Sequence, residues 1–75
     1  MIKKKIHINT IDDIKRFNQA VISADCDIDL THGRYTVDAK SLMGIMTLDL
    51  TKTVGIVFHT DNLETVNNFS EWFVE

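Results

Sequence analysis

The stretch Asp38-Ala39-Lys40-Ser41-Leu42-Met43-Gly44-Ile45-Met46-Thr47-Leu48 decides how the rest of the chain can be arranged. An alternating, strand-like run ends at Ala39, a serine follows, and apolar residues then stand at Leu42, Met43, Ile45, Met46 and Leu48. That pattern is too wide for one narrow helical stripe. It predicts a short helix from Ser41 to about Leu48, N-capped by Ser41, which buries some of these residues and leaves others for solvent or a partner.

Upstream of this stretch the apolar period is two. Cys26, Ile28 and Leu30 alternate with Asp27, Asp29 and Thr31, and beyond a turn at His32-Gly33 the residues Tyr35, Val37 and Ala39 alternate with Arg34, Thr36 and Asp38. Two strands joined by a tight turn, with one apolar and one polar face, follow from that pattern. Further back, Ile2, Ile6 and Ile8 mark a first strand interrupted by Lys4, whose long stem suits a frayed edge. Between them lies a helix from Thr10 to about Ala24, with Asn9 or Thr10 as cap and Asp12 and Asp13 at its positive end. Its core stripe is Ile14, Phe17 and Val21, widened by Ile11, Ala20 and Ala24, while Asn18 points away. Downstream, residues 49–53 form a polar connection, Val54 to Thr60 a last strand, and Asp61 with Glu64 a capping box for a helix over 62–74. Leu63, Val66, Phe69 and Phe73 form the stripe of that helix, and Trp72 flanks it.

The element order is therefore βαββαβα in a single domain, residues 1–75. Strands with one polar face require every helix on the other, which gives an open-faced α+β sandwich. A right-handed crossover through the first helix leaves a slot between strands 1 and 2. The most apolar strand, strand 4, fills it, giving an antiparallel-type sheet of order 1-4-2-3 with three helices on one face.

Composition narrows the function classes. With 75 residues, 44% hydrophobic and 25% charged, the chain is an ordinary small globular domain. A net charge of −3 offers no global attraction to nucleic acid or anionic lipid, and Lys3-Lys4-Lys5 reads as a solvated strand start. The single cysteine, Cys26, rules out an internal disulfide and reads as a small core residue. No apolar run reaches the ~20 residues of a membrane span, and no signal peptide is read before the first strand, so a cytoplasmic protein is expected.

The run from Asp29 to Leu48, with Lys40-Ser41 leading into Leu42-Met43-Gly44-Ile45-Met46-Thr47-Leu48, resembles the HPr family, the histidine phosphocarriers of the bacterial sugar phosphotransferase system. Members carry a hairpin, a lysine-serine step and a short helix of the form S-[IL]-M-G-[VI]-M-[ST]-L, and the βαββαβα order agrees over essentially the whole chain. The resemblance implies that Ser41 matches the family's regulatory phosphorylation site. It also implies that Lys40, Leu42, Met43 and Met46 match its partner-docking surface. The family holds its phosphoacceptor histidine in a motif like H-A-R-P-A where the first helix begins. Counting back from Ser41 without gaps, the histidine falls on Thr10, the arginine on Asp12 and the proline on Asp13. Two carboxylates at a helix N-terminus repel the phosphate such a corner attracts.

Of the remaining histidines, His32 sits in the hairpin turn. His7 and His59 project to the open face in an antiparallel pairing that puts His7 near Gly55 and His59 near Lys3. They are then ~13 Å apart, too far to share a zinc ion, and no metal or other cofactor is expected. Asp25, Asp27 and Asp29 lack the glycine and bidentate acid of a calcium loop. The reading is a non-enzymatic, HPr-like interaction or regulatory module without a competent phosphohistidine site. Its expected partners are proteins: phosphotransferase-system enzymes, an HPr kinase or a regulator. The alternative is an atypical phosphocarrier that accepts phosphate elsewhere, and a third reading is a piece normally fused to or paired with another domain.

Overall fold

The computed structural model describes residues 1–49 and 51–74; Leu50, within the connection expected at 49–53, lies outside them. The elements run β1 (Ile2–Ile6), α1 (Ile11–Ser23), β2 (Ile28–His32), β3 (Tyr35–Asp38), α2 (Leu42–Met46), β4 (Val54–Phe58) and α3 (Leu63–Asn67), with a 3₁₀ turn at Ser70–Trp72. The strands form one sheet of order β1-β4-β2-β3 with every neighbouring pair antiparallel. The apolar face is set by the period-two pattern: Ile6, Ile28, Leu30, Val54, Ile56 and Phe58 are buried beneath the helices. From α1 come Ile14, Phe17 and Val21, and from α2 comes Ile45.

Register departs from expectation by two residues. Lys5, not His7, is opposite Gly55, and Lys3 is opposite Val57. A two-residue shift keeps every side chain on its face, so alternation alone cannot distinguish the two pairings. The reason lies at the end of β1. After Ile6 the chain turns toward Thr10, and the C-terminal segment takes the free edge. His7 N–H donates to the Trp72 carbonyl at 3.0 Å, Val74 N–H donates to the Lys5 carbonyl at 2.9 Å, and Ile6 bridges Phe73. Ile8 stays buried although it has left the ladder. Lys4, on the inward side, carries its ammonium over the Phe73 ring at 5.8 Å from the centroid.

The hairpin turn also moves by one residue. His32 pairs with Tyr35, so the loop is Gly33-Arg34, and Gly33 alone has a positive φ, +59°. Positive φ confined to the first loop residue is the II′ pattern that glycine favours there. Tyr35 lies on the inward side but beyond the helices, and is 71% exposed. Ile11 overhangs the core at the first turn of α1 and is exposed as well. Asn18, expected to face solvent, is buried.

The last helix differs most. Its cap is Asn62, whose side chain accepts from Glu64 N–H at 3.0 Å. Asp61 instead receives the Met1 ammonium at 2.7 Å, which draws its pKa below the usual carboxylate range. The α-helix then stops at Asn67, among weak helix formers, and continues as a 3₁₀ turn. That change of pitch rotates the C-terminal side chains relative to a continuous helix. Trp72 is consequently 6% exposed, while Leu63, at the first position of α3, is 65% exposed. Trp72 meets Phe17 edge-on, at 5.2 Å between centroids and 89°. Phe69 joins Phe17 at 5.8 Å and Phe58 at 5.4 Å, closing the aromatic part of the core.

This arrangement makes opposite forecasts for two residues on the same segment. Trp72→Ala lowers the unfolding free energy by about 3–5 kcal/mol, the range for truncating a buried large aromatic. Leu63→Ala changes it by no more than about 0.5 kcal/mol. Urea titration followed by far-UV circular dichroism checks both, and a continuous helix over 62–74 would give the reverse order.

Candidate functional site

Two helix starts carry the residues singled out from the sequence, and they are built differently. At α2 the chain leaves β3 through a turn in which Ser41 N–H donates to the Asp38 carbonyl at 3.0 Å. Ser41 then caps the helix, its Oγ accepting from Gly44 N–H at 3.1 Å and its carbonyl from Ile45 N–H at 3.0 Å. Gly44 suits this packing, since a Cβ there would stand 3.3 Å from Ser41 Oγ and 3.5 Å from Val37 Cβ. Ser41 itself is exposed.

The apolar residues after Ser41 divide between core and solvent. Ile45 is fully buried, and Leu42 and Leu48 are half-buried against the core. Met43 is 82% exposed and Met46 47% exposed. The exposed part of the expected docking surface is therefore the methionine pair, and Leu42 contributes only an edge. Lys40, in the turn just before Ser41, has its Nζ 3.6 Å from Asp27 Oδ1, a solvent-exposed pair.

At α1 the cap is Thr10, whose Oγ1 accepts from Asp13 N–H at 3.1 Å, while its carbonyl accepts from Ile14 N–H at 3.0 Å. The hydroxyl thus serves as a cap acceptor, as that of Ser41 does. Asp12 is exposed, and Asp13 is bound by Arg16 at 2.8 Å. Arg16 reaches across with its other nitrogen to both oxygens of Glu71, at 2.8 and 2.9 Å, and lies over the Trp72 ring at 5.5 Å. The hydrogen bond to Glu71 and then that to Asp13 hold its guanidinium pKa above the usual value. The one arginine near this helix start is therefore fully engaged by carboxylates. Among the described residues, the shallow depression beside Thr10 is lined by His7, Asn9, Ile11, Ile14 and Thr51, and by no lysine or arginine.

The histidines do not come together. His7 lies at the Thr10 corner, beyond the end of β1. His59, on the open face, places Nε2 2.8 Å from Asp29 Oδ2. His32 ends β2 at the hairpin, and a group of three potential metal ligands is not found among the described residues. The Asp29–His59 pair was missed from sequence. Its signal is the placement of both residues at outward positions of strands that become neighbours, two positions apart once Asp29 is set opposite Val57. Cys26 is half-buried against the core, and burial, followed by the charges of Asp25 and Asp27, pushes its thiol pKa up, away from nucleophilic reactivity. Asp25 accepts a hydrogen bond from the Thr65 hydroxyl at 3.1 Å, which accounts for the burial of Thr65. No helix among the described residues is long and apolar enough to cross a membrane.

Comparison with known proteins agrees with this architecture. Two similar solved structures are HPr-C-His from Thermoanaerobacter tengcongensis and a phosphocarrier protein HPr from Bacillus anthracis str. Ames. The first superposes with a TM-score of 0.80 at 23% identity, covering 95% of this chain and 89% of that one. The second gives 0.75 at 22% identity, covering 97% and 96%. No curated protein matches the chain. Residues 12–70 match the family described as "PTS HPr component phosphorylation site". The open-faced sheet of order 1-4-2-3, the serine-capped methionine helix and a match over most of its length place this chain in the HPr family of the phosphotransferase system, whose members interact with other proteins of that system.

Proposed function

We propose that this HPr-family protein does not carry phosphate where its first helix begins and acts instead through α2, as a non-enzymatic protein-interaction or regulatory module of the phosphotransferase system in the cytoplasm. The observation that carries this reading is the build of the α1 corner. An ungapped count back from Ser41 puts the family's histidine on Thr10; the Thr10 hydroxyl is used as a cap acceptor, and Asp12 and Asp13 occupy the first turn. A helix N-terminus attracts a phosphoryl group through free N–H groups and nearby cations. Here the first turn is acidic and Arg16 is paired with Asp13 and Glu71. The α2 side keeps what protein contacts need: an exposed pair of adaptable methionines on a helix whose start is ordered by Ser41, with Lys40 in the turn before it. The partners proposed are phosphotransferase-system enzymes, an HPr kinase or a regulator.

One observation favours a second reading, an atypical phosphocarrier. His7 lines the same depression as Thr10, so an imidazole is present at the corner although it comes from the strand side. Incubation with phosphoenolpyruvate and the general phosphotransferase enzyme separates the two. The expected result is no acid-labile label on the wild-type chain; label that disappears in His7→Gln would establish the second reading and sink the first.

Ser41 is the proposed regulatory position. A phosphate there would meet the N–H groups of the α2 start and the Lys40 ammonium. With an HPr kinase and ATP, acid-stable label is expected on wild type and none on Ser41→Ala. Label of equal intensity on both proteins would assign the modification to another residue.

A further inference from the structure

Helix α1 reaches the turn in front of Ser41 through one side chain. Asn18 is 5% exposed, and its Nδ2 donates to the Ala39 carbonyl at 3.1 Å and to the Lys40 carbonyl at 3.0 Å. The N–H groups of the same turn are satisfied from elsewhere. Ala39 N–H goes to the Ile28 carbonyl at 2.9 Å, Lys40 N–H to Asp38 Oδ1 at 2.9 Å and Ser41 N–H to the Asp38 carbonyl at 3.0 Å. The two carbonyls immediately before the cap are thus the groups that depend on Asn18. A primary amide is suited to this, because a single nitrogen carries two hydrogens and can address two successive acceptors without bringing a charge into the core. An apolar residue at position 18 would fit the α1 stripe better and leave both carbonyls without that donor.

The consequence reaches α2. That helix spans five residues, Leu42–Met46, far below the ~12–15 at which an isolated helix becomes marginally stable. Its geometry therefore depends on the direction in which the chain arrives and on the Ser41 cap. We infer that Asn18 is the positioning residue for the Ser41 turn: it ties α1 to the turn and holds the serine and the methionine pair in one arrangement. The functional weight of this role rests on the reading of α2 as the docking helix, but the geometry does not.

Amide hydrogen exchange by NMR on the full chain tests the inference. In Asn18→Leu, exchange at Gly44 and Ile45, whose N–H groups bond to Ser41, accelerates at least tenfold. The amides of Ile56 and Phe58 in the central strand keep their wild-type protection. Unchanged exchange at Gly44 and Ile45, or equal acceleration throughout the chain, would overturn it. If the leucine variant does not fold, the wild-type protein decides. Both Asn18 side-chain hydrogens should be protected and show scalar coupling through hydrogen bonds to the Ala39 and Lys40 carbonyl carbons, whereas freely exchanging, uncoupled hydrogens remove the proposal. Neither readout involves a partner, so its failure is distinct from a failure of the docking reading.

Discussion

The contact between Phe17 and Trp72, edge-on at 5.2 Å, joins the middle of the first helix to the end of the described chain. Several features that look unrelated depend on it. With Trp72 inside, its carbonyl receives the His7 N–H, and the following residues lie along the free edge of β1. The edge is thereby covered over part of its length, and the strand ends at Ile6. Where β1 ends determines the course of the loop to Thr10 and brings His7 to the corner beside it. Arg16, spread over Trp72 and bonded to Glu71, adds a polar clasp at the surface of the same contact. In a domain this small the core supplies little stability to spare, so one aromatic pair carries a large share of the fold.

Against that frame, the two helix starts show how fold and chemistry separate. Thr10 and Ser41 do the same structural work, each accepting an N–H three residues ahead. Their surroundings differ in sign and in polarity. The α1 start presents exposed Asp12 with Asp13 paired internally, whereas the α2 start presents Lys40 and exposed methionine side chains. The sheet order and the helix positions are those of the HPr family, and they accommodate an acidic first turn at α1. The side chains of residues 10, 12 and 13 lie at the surface or its edge, outside the buried cluster that holds Ile14, Phe17 and Val21.

Much of this was legible in the chain itself. Period-two runs placed all four strands, the Ser41 and Thr10 caps were recognisable, and the strand order followed from the apolar character of β4. The illegible parts share a cause. Register between β1 and β4 is degenerate under a two-residue slip, so alternation could not see it. Trp72 turns inward because a helix broken at Asn67 has a different pitch from a continuous one, and residue type does not reveal where a short helix stops. Asn18 looked like a surface residue because asparagine is usually exposed; only the arrival of two carbonyls from another element makes its burial favourable.

The sequence by itself determined the element types, the apolar face of the sheet, the family signature at Ser41 and the absence of a histidine at position 10, because these depend on local periodicity and residue identity. Tertiary structure decided which methionines face solvent, where β1 ends, that Arg16 serves Glu71 and Asp13, and that His7 stands at the Thr10 corner. Each of these depends on groups distant in sequence meeting in space. The Ser41 helix belongs to both: its residues announce the family, but its geometry is held by an amide from a helix more than twenty residues earlier in the chain.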